Sequence, residues 1–298
     1  MAEISIVVGL YNSLTRLPKL IDSLESQKNV PSFELLAIDT SSADNTTQYL
    51  RKIKNTLPFT LRIFSVKKED FGHGKTRNLI IKSAQGKIIV FISDDIEILS
   101  SGWLSRLIKP LKKDKVAAVF GRQLPYRESS CYDHFFYQKA YPLEDRLISK
   151  KDLQNFSATN IFYSMANACA RADLLRKYPF VEDKDASVDQ WWAKRILENE
   201  YFIFYTTLAE VKHSHIYNLR GLIKRQFLSG QSLRGFFNTS RLSTLQTGLK
   251  YIKEETIYII KNCSVKTLLF LPLYEGVRIS SFFLGKKFVS IPGFINRL

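Results

Sequence analysis

Two adjacent aspartates, Asp94 and Asp95, stand at the end of an apolar run in Lys87–Trp103, KIIVFISDDIEILSSGW. Neighbouring carboxylates repel, and the simplest group that holds them together is a divalent cation. The run before them, Ile88-Ile89-Val90-Phe91-Ile92, is rich in β-branched residues and has no polar alternation. Such a run reads as a strand buried on both faces, the usual state in a parallel sheet. Carboxylates at its carboxyl end lie where open α/β sheets bind their ligands. The alternative is a surface turn carrying two solvated acids, and the remaining elements weigh against it.

Those elements alternate. Ile4–Leu10 is a second apolar strand and runs directly into Tyr11-Asn12-Ser13. Leu17, Leu20, Ile21 and Leu24 recur at helical spacing, with Thr15 as a cap and Pro18 in the first turn. Phe33–Ile38 leads into Asp39, residues 40–46 open another helix, and Leu61–Val66 is a third strand. A helix over Lys75–Gln85 then returns to the strand of Asp94. This order predicts a parallel sheet covered by helices on both faces. Three strands end in polar residues, at Asn12, Asp39 and Asp95, and in a doubly wound sheet such ends converge on one crevice that suits a nucleotide. No G-x-x-x-x-G-K-[ST] loop is present and no G-x-G-x-x-G follows a strand. FGHGKTRN, residues 71–78, precedes a helix instead. A diphosphate bound without a glycine-rich loop calls for a cation that bridges it to the carboxylates.

At 298 residues and 45% hydrophobic, the chain fits one large domain, or one domain with an appendage. It opens directly on a strand with no signal-peptide pattern, and no uninterrupted apolar stretch has the length to span a bilayer. Cys131, Cys169 and Cys263 are far apart and lack metal-ligand spacing, which predicts free thiols in a reducing cytoplasm. The net charge of +16 is concentrated: residues 212–298 hold 14 Lys and Arg against three acids, which is +11 of the total. A basic tail suggests nucleic acid, a membrane surface or a phosphorylated substrate.

Taken in order, ISIVVGLYN, AIDTSSADNT, FGHGKTRN and FISDDIEILSSGWL resemble the family 2 glycosyltransferases of the GT-A fold, and FGHGKTRN is most similar to their rhamnosyltransferase subgroup. The resemblance covers about residues 4–230. It implies an α/β, Rossmann-like GT-A domain with a mostly parallel sheet over residues 1–215, its nucleotide-sugar half ending near residue 100. A basic, amphipathic helical region follows over residues 216–298. The implied activity is inverting transfer of a sugar, rhamnose by subgroup, from a nucleotide-diphosphate donor to a saccharide or polyprenol-linked acceptor in cell-surface polysaccharide synthesis. The implied cofactor is Mg²⁺ or Mn²⁺. Tyr11, Asn12, Asp39, Arg77, Asp94 and Asn167 then fall on the donor side, with Asp39 at the base or ribose. Asp95 matches the metal-binding aspartate of D-x-D; the first D is Ser93 here, and Asp94 is left to substitute for it.

The same resemblance places the catalytic base. In VEDKDASVDQWWAKRIL, residues Asp189, Trp192 and Arg195 match E-D-x-x-W-x-x-R, with Val188 in place of the E. One acid then does the proton work, and desolvation beside Trp191 and Trp192 raises its pKa toward a useful range. Asp189 as a helix N-cap is the plain alternative, and Asp185 is the next candidate base. His73, Trp191 and Trp192 are candidate sugar or acceptor contacts. Asn160 and Asn167 stand out here: FYSMANACARADLLRKYPF resembles the segment beneath the transferring sugar, with Asn167 and Arg171 at its marked positions, although a buried, turn-stabilising asparagine fits nearly as well. His213-Ser214-His215 resembles the subgroup's closing motif, where a histidine completes the metal site. On an extended segment the two rings point to opposite faces, so at most one reaches a given cation, and His215 is favoured.

Two rival functions remain. A sugar-nucleotide nucleotidyltransferase would carry a glycine-rich loop after the first strand, and GLYNS is not one. A nucleic-acid-binding protein would leave the aspartate pair unexplained. Leu268–Phe288 is broken by Pro272, Glu275 and Arg278, which predicts helices that lie on an anionic membrane at the cytoplasmic face, or that pack on the catalytic domain.

Overall fold

The computed structural model describes residues 2–155, 163–184, 186–236 and 241–288. Its first hundred residues alternate as the apolar periodicity requires: β1 (Ile4–Leu10), α1 (Leu17–Glu25), β2 (Phe33–Asp39), α2 (Thr46–Ile53), β3 (Thr60–Ser65), α3 (His73–Ser83) and β4 (Ile88–Ser93). β1 pairs in parallel with β2 and β4, and β2 with β3. Side-chain alternation sends Ile4, Ile6 and Val8 to the core under α1, and Val7, Ile89 and Phe91 to the opposite core. Burial on both faces explains why these strands read as unbroken apolar runs.

The next elements are β5 (Glu97–Ile98), α4 (Trp103–Ile108), β6 (Val116–Leu124), α5 (Cys131–Ala140), β7 (Arg146–Ile148), β8 (Asn167–Arg171), α6 (Ala172–Lys177), α7 (Val188–Glu198) and β9 (Phe202–Lys212). β8 lies antiparallel between β4 and β6, β9 runs parallel to β6, and β5 and β7 flank β9 antiparallel. The spatial order is β3-β2-β1-β4-β8-β6-β9-β5, with β7 also on β9. The sheet is therefore parallel through its first half and mixed beyond β4.

Three helices follow among the described residues: α8 (Leu219–Ser232), α9 (Arg241–Asn262) and α10 (Val265–Lys287). Asn218 caps α8 by accepting from the Gly221 amide, and Ser264 caps α10 by accepting from that of Thr267. α8 and α10 cross backbone to backbone: a Cβ on Gly230 would strike the carbonyl of Phe282, and one on Gly285 that of Phe227. By length and composition α10 does reach what a membrane crossing needs, contrary to the sequence expectation, because Pro272 is accommodated inside the helix.

The thiol expectation also requires correction. Cys131 and Cys263 form a disulfide, with Cα atoms 6.4 Å apart, that ties the start of α5 to the turn between α9 and α10. The two lie 132 residues apart in sequence, so only the packing of α5 on the C-terminal helices brings them together. Tyr132 stacks on Tyr274 beside them, with ring centroids 3.9 Å apart. Cys169 is free and buried.

Candidate active site

Strand ends supply the chemistry. Asp95 follows β4, and His213 and His215 follow β9. His213 Nε2 lies 3.4 Å from Asp95 Oδ1, and His215 Nδ1 lies 3.4 Å from Asp95 Oδ2. Ligand atoms of the three residues all fall within 4.8 Å of one another. Both histidines therefore reach one point, and the expectation that only one could is corrected. The alternation rule ends with the ladder, whose last pair is Leu124 with Lys212. Beyond it the Ser214 hydroxyl accepts from the Tyr126 amide at 3.0 Å and sits 2.6 Å from Ser129 Oγ, and this turn brings the rings to the same side.

The arrangement fits a divalent cation. Gln123, on the last turn of the β6 ladder and 2% exposed, accepts from His213 Nδ1 at 2.8 Å and donates to Ser164 Oγ at 2.9 Å. Because the carboxamide oxygen can only accept, the His213 proton resides on Nδ1 and the Nε2 lone pair points at Asp95. That Nε2 is buried and has no hydrogen-bond partner. Burial opposes ionisation of Asp95, but the neighbouring His213 and then His215 hold its carboxyl below the ordinary range. Burial, then the neighbouring His213, lowers the pKa of His215. A carboxylate and neutral imidazoles are the forms that bind cations. Ligands held about 2.1 Å from an ion at right angles lie about 3 Å apart, close to the spacing found.

Asp94 does not join this cluster. Its Oδ2 accepts from Ser13 Oγ at 2.5 Å and from Arg16 Nη2 at 2.5 Å, which fastens the end of β4 to the loop after β1. Asn12, at φ 50°, accepts from the Ala43 amide at 2.8 Å and so joins the loops after β1 and β2. Tyr11 is half-exposed, with the Lys68 ammonium over its ring. Asp39 is buried; its Oδ2 accepts from the Ser42 amide at 3.2 Å, while its Oδ1 is buried without a partner.

FGHGKTRN turns out to mount the segment that leads to α7. A Cβ on Gly74 would strike the Val181 carbonyl, so only glycine lets α3 approach that closely. Asn78 donates to the Phe180 carbonyl and accepts from its amide, both at 2.9 Å, and also donates to Glu182 at 2.8 Å. His73, exposed at the first turn of α3, meets the Phe71 ring edge-on. Arg77 interacts electrostatically with Asp189.

Asp189 occupies the first turn of α7, whose N-cap is Ser187 in the left-handed region at φ 55°. It is thus not the cap. Its carboxyl accepts from the Gln190 amide at 2.9 Å, and the nearby Met165 amide also favours its charged form. Burial nevertheless raises its pKa above the ordinary value, with the Arg77 charge and these amides opposing the rise.

Two candidates are displaced. Asn167 is fully buried: its oxygen accepts from Trp103 Nε1 at 2.9 Å and its nitrogen donates to the carbonyls of Ala209, at 2.8 Å, and Arg122, at 3.3 Å. It is a core linchpin rather than a donor contact. Trp192 is buried too, donating to the Tyr178 carbonyl at 2.8 Å and packed on Tyr163 and Phe180, so it offers no face to a sugar. Trp191 lies against Phe236 and donates to the Ser232 carbonyl at 2.7 Å. Asn160 and Asp185 lie outside the described residues. Sequence reasoning missed Gln123, Arg16 and Asn78, whose importance comes from tertiary partners that no local pattern marks.

The family profile "Glycosyl transferase family 2" matches residues 5–178. The O-antigen chain rhamnosyltransferase RfbN of Salmonella typhimurium is 26% identical over 264 residues, covering 87% of this chain and 82% of that one. The GalNAc(5)-diNAcBac-PP-undecaprenol beta-1,3-glucosyltransferase of Campylobacter jejuni is 26% identical over 204 residues, 68% of this chain and 62% of that one. Among solved structures, the mannosyltransferase PcManGT of Pyrobaculum calidifontis, in complex with GDP-Man and Mn²⁺, superposes with a TM-score of 0.62 at 15% identity over 95% of this chain and 86% of that one. A GT-A sheet followed by a helical C-terminal region, together with a profile match over more than half its length, makes this chain a member of glycosyl transferase family 2.

Proposed function

We propose that the chain transfers a sugar with inversion from a nucleoside-diphosphate donor to a hydroxyl of a saccharide or lipid-linked acceptor, with Asp189 as base and Asp95, His213 and His215 as ligands of a divalent cation. The observation that carries this reading is the junction at Ser164 and Met165. The Ser164 hydroxyl accepts from Gln123, which orients His213, and the next amide along, that of Met165, lies near enough to Asp189 to favour its charged form. Consecutive Cα atoms are about 3.8 Å apart, so the group that orients His213 and the amide beside the base meet on one short segment. A single displacement needs leaving group and attacking hydroxyl in just such proximity.

When bound, the cation would neutralise the diphosphate and the charge that builds on the departing nucleotide. Two imidazoles with one carboxylate suit Mn²⁺ better than Mg²⁺, which prefers oxygen ligands. The unpartnered Oδ1 of Asp39 is an acceptor for an N–H of the base or a ribose hydroxyl. Asp189 takes the proton from the acceptor hydroxyl. That oxygen bonds the anomeric carbon as the bond to the diphosphate oxygen breaks on the far side, which inverts the centre. One carboxylate suffices because no glycosyl-enzyme intermediate forms. Likeness to RfbN favours rhamnose, and likeness to the Campylobacter protein, named for a PP-undecaprenol acceptor, favours a lipid-linked acceptor; the cytoplasmic face of a membrane is where we place their meeting.

Nucleotide release with a panel of sugar donors, a nucleoside-diphosphate rhamnose among them, tests the reading. Transfer should require Mn²⁺ or Mg²⁺ and should vanish in Asp95→Asn. Full activity in excess chelator would overturn the cation assignment, and release from no donor would overturn the function.

A further inference from the structure

We infer that the outward face of α10, together with the adjoining face of α9, docks on the surface of an anionic lipid bilayer, with the helix lying in the interface rather than across it. This extends the glycosyltransferase reading by naming where a lipid-linked acceptor is met, although the docking itself needs no substrate.

α10 is apolar on both sides. Its buried side holds Leu271 together with Glu275, Ser281 and Gly285, with the Arg278 guanidinium 2.6 Å from Glu275 and 3.2 Å from the Tyr251 hydroxyl. Its outward side is apolar: Val265 is 72% exposed, Leu269 76%, Leu273 52% and Phe283 51%. These positions recur near the helical period and form one stripe along 23 residues, about 34 Å of helix. The outward side of a helix at a water-facing surface is normally polar. α9 adds Leu249, 67% exposed, and Ile260, 62% exposed.

Charge selects the partner. α9 and α10 carry Lys250, Lys253, Lys261, Lys266, Lys286 and Lys287, the last pair and Lys266 standing at opposite ends of the apolar stripe. Their acids are matched within the protein: Glu254 pairs with Lys139 at 2.7 Å, and Glu255 and Glu275 are buried around Arg278. An apolar stripe bracketed by lysines is the pattern of a helix whose side chains enter the acyl boundary while its ammonium groups meet anionic headgroups. A crossing orientation is disfavoured because the opposite face is glued to α8 through Gly230 and Gly285. α8 in turn belongs to the catalytic body: Phe227 is fully buried, and Ser232 bonds both Ala186 and Trp191. Only one side of α10 is left for lipid.

The test is co-sedimentation of the full chain with vesicles of equal phosphatidylglycerol and phosphatidylcholine, or of phosphatidylcholine alone. The wild type should partition to the anionic vesicles about tenfold or more in excess and should be released by high salt. The combined variant Leu269→Ser, Leu273→Ser, Phe283→Ser changes only exposed side chains, and should lower partitioning about tenfold or more at an unchanged melting temperature. Equal partitioning of variant and wild type overturns the inference. So does absence of binding to anionic vesicles, with or without a dimer in solution that the triple variant abolishes. Donor-panel assays on the same protein separate the two readings: failed docking with intact transfer rejects only the docking, and docking without transfer rejects only the function.

Discussion

Replacing Gln123 with methionine removes the carboxamide that orients His213 while keeping the length of the side chain. The wild-type bond is 2.8 Å long and buried, with Gln123 2% and His213 8% exposed, so water cannot replace it. An unmet buried donor costs about 1–3 kcal/mol. The ring avoids that cost by moving its proton to Nε2, where Asp95 Oδ1 stands 3.4 Å away to accept it. A cation must then reverse the tautomer before it can bind. Loss of such an orienting partner weakens metal binding about 10- to 100-fold. That factor equals about 1.4–2.7 kcal/mol, the size of the unmet donor, so the two estimates agree. Calorimetric titration of Mn²⁺ into the metal-free full-length protein reads the affinity, and imidazole ¹⁵N shifts read the tautomer. Gln123→Glu keeps an acceptor for Nδ1–H, with Ser164 turned to donate, and should restore affinity to within a few fold. Unchanged affinity in Gln123→Met, beside a clear loss in His213→Ala, would refute the orienting role. Failure of Gln123→Glu to rescue would assign the loss to packing instead.

Asp189→Asn keeps the fold and removes basicity; kcat should fall about 10²-fold or more in single-turnover assays, with donor affinity little changed. Because burial raises the Asp189 pKa, the rate should climb with pH through a value above 3.8 as the carboxylate forms, and Arg77→Gln should move that limb to higher pH. Burial also raises the pKa of Glu255, from 4.5 to about 8, so the folded protein holds a proton that the unfolded chain has released. Stability should therefore fall as pH rises through that interval, and melting curves of Glu255→Gln should lose most of this slope. Reducing the Cys131–Cys263 disulfide reopens a loop of 132 residues and should lower stability by up to about 5 kcal/mol, read by melting with and without dithiothreitol.

What the sequence made legible was whatever local pattern controls. The run Ile88–Ile92 announced β4 because a doubly covered strand has no polar side, and Asp95 at its end followed directly. Asp189 could be placed by resemblance; burial raises its pKa as expected there, but the Gln190 and Met165 amides and the Arg77 charge that oppose the rise are marked by no local pattern. The two histidines misled because the alternation rule was carried past Lys212, where Ser214 leaves the ladder for Tyr126 and Ser129. Asn167 and Trp192 look polar or amphipathic in sequence, yet partners from β9, α4 and α6–α7 close over them. The cysteine pair was invisible because sequence spacing carries no information about a contact made by helices far apart in the chain.

The origin of the proposed cation ligands at the ends of β4 and β9 has a consequence for how the enzyme is made. β1 to β4 lie within the first hundred residues and pair with one another, so the nucleotide half can condense while the rest is still being synthesised. Asp95 has no imidazole beside it until β9 has been laid along β6, one of the last strands to be seated. A cation held there rewards only the finished sheet, and at a hundred times its dissociation constant it would favour that state by about 2.7 kcal/mol. Chains released before His213 would carry a donor crevice without the means to fire it. On the proposed reading, metal loading would report that β9 has been seated, and chains that stop short of it would be kept from consuming activated sugar.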